Sequence, residues 1–272
     1  MGPIRCLHMN HINAAIDDYD QTVAHMADLY GAQLIADMPR AEWHACLLAI
    51  SGVIFEFFAP HDDLLHARFG PHYVGVEYQT TDVSLAREVS ADRGVRIVRE
   101  LGPAFHVHPL DALGISFEFF DRSFHDDPPP MTYLEPLRPA GDGRDHPCGI
   151  TGLARYSTVV GDMDAAVEFL TQYVDGTVVY QTARPAVAGR AVGLRLGDTV
   201  IEVLAPTGPG PIERHVARGE GIRAVVFEVE DLDRTREYLV ARGVDVTAGD
   251  AEDTLAVPSP HNRGLAFEFA PR

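Results

Sequence analysis

Cysteine is scarce: Cys6, Cys46 and Cys148 are the three in 272 residues. Their odd number and unpaired spacing argue against a disulfide framework and fit the reduced thiols of a cytoplasmic protein. Runs of basic residues are missing as well. With 22 Lys+Arg against 40 Asp+Glu, the formal net charge is -18. Neither nucleic acid nor an anionic membrane is then an expected partner, although a local basic pocket for an anionic small molecule stays open. No apolar run approaches the length of a membrane span, and the first residues lack the charged-then-apolar order of an export signal.

What the chain does have is apolar substance and repetition. Hydrophobic residues make up 46%, enough for one large or two ordinary domains with cores of their own. Asp111-Ala112-Leu113-Gly114 reads as a turn that opens directly into Ile115-Ser116-Phe117-Glu118-Phe119-Phe120. Strand alternation puts Ile115, Phe117 and Phe119 on one face and Ser116 and Glu118 on the other. The same phase recurs in Val53 to Phe58 around Glu56, in Val200 to Leu204 around Glu202, and in Leu265 to Phe269 around Glu268. Four strands with a carboxylate at one phase indicate an internal repeat.

The elements between them repeat too. A first strand, His8 to Ile16, is followed by Asp17-Asp18 as an N-cap and by a helix that Gly31 closes. Three strands then run to Phe58. The unit starts again at His72, with Asp82 and Gly94 as cap and stop. It starts a third time at Leu153, with Asp162 and Gly176, and a fourth at Ile222, with Asp231 and Gly243. Each helix carries apolar residues at helical spacing, which fits packing on one face of the strands. Between the second and third units lies a stretch dense in Pro, Gly and Asp, including Asp126-Asp127-Pro128-Pro129-Pro130. It reads as a linker over residues 126–147, between halves spanning 1–125 and 148–272.

Paired strand-helix-three-strand modules, an Asp opening each helix, a Gly closing it and a Glu on the last strand resemble the vicinal oxygen chelate superfamily. That group includes glyoxalase I, methylmalonyl-CoA epimerase, extradiol dioxygenases and the bleomycin resistance proteins. Asp111-x-x-Gly114-x-x-x-Glu118 looks like the family's turn-strand signature, with Ala112 where Pro is common. The resemblance implies an α+β fold of four βαβββ modules paired into two half-barrel domains. It does not choose the chemistry, because one fold hosts many reactions.

Carried over residue by residue, the resemblance implies a divalent metal in the N-terminal half held by His11, Glu56 and Glu118, with a further ligand at the start of the second unit. His72 is favoured there. Counting back from Asp82 instead reaches Gly75, and Tyr73 is the third alternative. Such donors suit Fe, Mn, Ni, Co or Zn alike. His106 and His108 precede Glu118, and alternation puts both on one strand face. His108 is the first choice as an acid or base, with Glu56 as a second proton carrier.

In the C-terminal half, Arg155 and Ala224 stand at the corresponding positions, so that half is expected to be metal-free, with Arg155 paired internally to Glu202 and Glu268. Three functions follow. The first is an isomerase, epimerase or lyase acting on a small carbonyl substrate through metal-chelated oxygens. The second is an Fe(II) ring-cleaving dioxygenase, and the third a metal-free small-molecule-binding protein. A small-molecule substrate is the expected partner in each, and a homodimer is compatible with all.

Overall fold

A computed structural model describes residues 2–39, 41, 43–60, 70–121, 132, 133 and 146–272. The expected linker lies almost wholly outside the described residues.

The first module runs β1 (Cys6–Ala15), α1 (Tyr19–Tyr30), β2 (Gln33–Pro39), β3 (Trp43–Ile50) and β4 (Val53–Pro60). The second runs β5 (His72–Thr80), α2 (Val83–Asp92), β6 (Ile97–Glu100), β7 (Ala104–Val107) and β8 (Ser116–Phe120). A two-residue strand, β9 (Thr132–Tyr133), adds to the edge beside β2. The third module is β10 (Ile150–Val159), α3 (Met163–Tyr173), β11 (Thr177–Arg184), β12 (Gly189–Leu196) and β13 (Thr199–Pro206). After a short helix, α4 (Pro211–Val216), come β14 (Gly221–Val229), α5 (Leu232–Ala241), β15 (Thr247–Ala248), β16 (Leu255–Val257) and β17 (Phe267–Pro271).

The helix boundaries have the anticipated chemistry. Asp18, Asp82, Asp162 and Asp231 are the N-caps, each in extended backbone and accepting from one or two of the helix's first free N–H groups. Those donors would otherwise go unsatisfied. Gly31, Gly94 and Gly243 take left-handed backbone just past their helices. The third module differs: Asp175 takes the left-handed conformation, one residue ahead of Gly176.

Two sheets result, with strand orders β6-β7-β8-β5-β1-β4-β3-β2-β9 and β11-β12-β13-β10-β14-β17-β16-β15. Each holds the strands of two modules, so the α+β architecture of four βαβββ units in two sheets is the one expected. Glu56 and Glu118 lie on one sheet. No helix among the described residues is long and apolar enough to cross a membrane.

Packing also divides the chain into two compact units, and the division falls inside β1, β5, β10 and β14. One unit comprises residues 1–10, 75–126 and 155–223. In it Ser90 Oγ meets the Tyr173 hydroxyl at 2.8 Å, and Phe119 meets the Tyr173 ring edge-on. The other comprises residues 11–74, 127–154 and 224–272. There Phe55 packs against Phe227 and Phe267, and the Tyr30 hydroxyl donates to Asn262 Oδ1 at 2.8 Å. Phe55, Phe57, Phe117, Phe119 and Phe267 are fully buried, so the aromatics of the repeated strands are core.

Gly75 of β5 lies opposite Ser116 of β8. A Cβ there would sit 1.9 Å from the Ser116 carbonyl oxygen, which is backbone and has little room to yield. Gly75→Ala is therefore expected to destabilise the protein by about 1–3 kcal/mol, as an overpacked core does. Urea unfolding of the variant beside the parent measures this, and equal midpoints would show that the two strands separate freely.

Candidate metal centre

β1 divides its side chains as alternation requires. Ile12 and Ala14 point into one buried layer, while His11 and Asn13 share the opposite face, each 1% exposed. β1 runs parallel to β4 with Asn13 opposite Glu56, which brings His11 Nε2 to 3.2 Å from Glu56 Oε2. In the second module β5 runs parallel to β8 with Glu77 opposite Glu118. β7 pairs antiparallel on the other side of β8 with His106 opposite Glu118, so that His106 Nε2 lies 3.2 Å from Glu118 Oε1.

β5 and β1 are neighbours in the strand order of this sheet. His11, Glu77 and Glu118, all buried, each offer one ligand atom, and these atoms lie within 4.8 Å of one another. Glu77 is 0% and Glu118 2% exposed. Two ionised carboxylates at such range repel each other, and a cation between them would relieve that repulsion. A divalent ion would balance both, and one imidazole with two carboxylates is a donor set that first-row divalent metals accept. The residues therefore fit the metal that the family resemblance implies, with Glu77 in the set.

The other sequence-derived candidates have different places. His72 opens β5, and its Nδ1 is 2.7 Å from the Gly70 carbonyl oxygen, so that nitrogen is the donor there. It precedes Glu77 by five residues, which puts it about 16 Å along the strand and on the opposite face. Tyr73 spends its hydroxyl on the Ala266 carbonyl at 2.8 Å, and Gly75 has no side chain to offer. Glu56 is the neighbour of His11 and is outside the three-residue group. β7 ends at Val107, so His108 leaves the strand. Its Nδ1 accepts from Leu110 N at 3.2 Å and caps the single helical turn Pro109–Asp111. His106 is the histidine that reaches Glu118. The turn itself is held by Arg96, whose guanidinium bonds both oxygens of Asp111 at 2.7 and 2.8 Å and keeps that carboxyl well below the usual range.

Glu77 lies five residues before the capping Asp82, as Asn13 lies before Asp18 and Ser157 before Asp162. Counting to seven reached Gly75, which is on the correct face but bare.

The second sheet holds different chemistry at the matching places. Arg155 Nε is 3.4 Å from Glu202 Oε1, Arg184 is 2.5 Å from Glu202 Oε2, and Tyr180 donates to Oε2 at 2.7 Å. Glu268 accepts from Asp250 N at 3.2 Å and from Thr254 Oγ1 at 3.5 Å.

Comparisons with known proteins agree with this architecture. Residues 152–254 match the family described as the Glyoxalase/Bleomycin resistance protein/Dioxygenase superfamily. A triple mutant of 4-hydroxymandelate synthase from Streptomyces coelicolor superposes with a TM-score of 0.77 at 15% identity, covering 100% of this chain and 93% of that one. The Mn(II)-bound glyoxalase from Novosphingobium aromaticivorans gives 0.65 at 14% identity, over 98% of this chain and 83% of that one. A fusion of a xylose isomerase-like TIM barrel with 4-hydroxyphenylpyruvate dioxygenase gives 0.66 at 13%, over 100% and 50%. Among curated proteins nothing matches.

A divalent ion at this group should stabilise the fold. At about 100-fold excess over its Kd, Mn(II) or Zn(II) is expected to raise the melting temperature of the chelator-treated protein by roughly 5–10 °C. Glu77→Gln removes one of the two buried charges. It should melt at or above the parent without metal and lose most of the metal-induced rise. A Glu77→Gln protein that keeps the full rise would take Glu77 out of the group.

Proposed function

We propose that this chain, whose residues 152–254 match the glyoxalase/bleomycin resistance protein/dioxygenase superfamily, is a divalent-metal-dependent isomerase, epimerase or lyase acting on a small carbonyl substrate. The observation that supports this most is the convergence of His11, Glu77 and Glu118, three buried donors from three strands of one sheet. When bound there, a divalent ion would polarise adjacent substrate oxygens and acidify the neighbouring C–H.

The chain's own groups account for the rest. His11, Glu77 and Glu118 would hold the ion, with Glu77 in place of His72. His106 sits against Glu118 and Glu56 against His11. Each either orients its ligand or carries a proton to and from the substrate carbon, roles that imidazole and carboxylate side chains commonly fill. Burial of the ligand face limits bulk water there, so solvent protons would reach the substrate carbon by way of His106 or Glu56.

The donor set bears on the choice of reaction. Fe(II) oxygenases typically use two histidines and one carboxylate, whereas this group has one histidine and two carboxylates. Two of the structural neighbours are named for oxygenase-type or synthase activities, but at 13–15% identity they speak to the fold.

The experiment is metal analysis joined to two activity assays. Purified protein is expected to carry a divalent metal, to exchange deuterium from solvent into the carbon next to a substrate carbonyl, and to consume no oxygen. Oxygen uptake with a catechol would transfer the assignment to a dioxygenase. Ligand binding by protein that takes up no metal would transfer it to a binding protein.

Variants should separate holding from proton transfer. His11→Ala and Glu118→Gln are expected to lose metal by more than the roughly 10–100-fold typical of outer-sphere changes. His106→Gln should retain metal within that range yet lose about 10²–10⁴ in kcat. Full metal occupancy in both His11→Ala and Glu118→Gln would remove the site.

A further inference from the structure

A second polar cluster lies on β10, β11 and β13, in the sheet that does not carry the histidine and glutamate group. Its centre is Glu202, whose side chain is 1% exposed. Oε2 accepts from Tyr180 at 2.7 Å and from Arg184 at 2.5 Å, and Oε1 faces Arg155 Nε at 3.4 Å. The carboxylate is thus occupied on both oxygens. The Arg155 terminal nitrogen NH2 is buried and has no hydrogen-bond partner among the described residues. A buried guanidinium N–H left without an acceptor costs free energy that an oxygen ligand would recover.

The surroundings look built for this purpose. β11 is the edge strand of its sheet and is exposed along its length except at Tyr180 and Arg184, the two residues that reach Glu202. Tyr180 lies across Gly193, where a Cβ would come within 2.3 Å of its ring, so only glycine leaves the ring its place. The chain carries a net charge of -18, which repels anions generally. Two arginines, from β10 and β11, around the single carboxylate of Glu202 leave a positive excess there. Guanidinium forks match the paired oxygens of carboxylates and phosphates.

We propose that this cluster binds the oxyanion of a small ligand, a carboxylate or phosphate group, with Arg155 as the leading donor. Arg155 stands seven residues before its capping Asp162, as His11 stands before Asp18. One position of the module thus serves a cation in the first sheet and an anion in the second.

The test is calorimetric titration of the full chain, freed of metal by chelator and then dialysed, with malonate and separately with inorganic phosphate at constant ionic strength in chloride. Metal removal keeps the result independent of the metal site. Saturable binding of about one anion per chain is expected for at least one of them. Binding of malonate alone identifies a carboxylate site, and binding of phosphate alone a phosphate site. Arg155→Gln should weaken the isotherm about tenfold or more while melting near the parent. Arg155→Lys, which keeps the charge and loses the fork, should show a smaller loss. Absence of saturable binding by both anions overturns the proposal, as does parental affinity in Arg155→Gln. If Arg155→Gln fails to fold, parental affinity in Arg155→Lys overturns it.

Discussion

The parallel pairing of the first and last strands of each module is the constraint on which this structure depends. In all four modules that pairing sets the last-strand glutamate opposite the residue five places before the helix-capping aspartate. The pairs are Asn13 with Glu56, Glu77 with Glu118, Ser157 with Glu202, and Val226 with Glu268. A parallel pair cannot be closed by a tight hairpin and needs a long crossover. Here the helix and two further strands supply it. The cap fixes where the helix starts, and therefore which first-strand residues share a face with the glutamate. A one-residue slip would turn every such side chain to the other face.

Given that register, chemistry depends on what stands beside each glutamate. In the first sheet the neighbours are His11, Glu77 and His106, which leaves buried negative charge and imidazoles, a setting for a cation. In the second sheet Glu202 is surrounded by Arg155, Arg184 and Tyr180, and cationic donors dominate. Glu268 turns to the backbone and hydroxyl donors around Asp250 and Thr254. Four copies of one scaffold carry different polar groups without disturbing the core, because the aromatics that build it, such as Phe55, Phe117 and Phe267, lie on the other strand face.

Much of this was legible in the sequence. Capping aspartates, glycine stops and a glutamate at a constant phase are local features, governed by backbone hydrogen bonds and strand alternation, and they specify four modules without reference to anything distant. His11 and Glu118, which the family resemblance singled out, lie in one buried group with Glu77, and Arg155 and Ala224 stand where the second half has no histidine. The partners of those residues were decided by tertiary structure. His72 has a metal-ligating side chain, but strand alternation turns it away and strand rise carries it about 16 Å from Glu77. Glu77 looked like an ordinary strand carboxylate until the pairing of β5 with β8 set it opposite Glu118. His106 and His108 were equivalent by alternation until β7 ended between them. Composition and period determine which face a residue joins. Only the register between strands distant in the chain decides which residues on that face meet, because that register is a balance of long-range pairings that no local stretch contains.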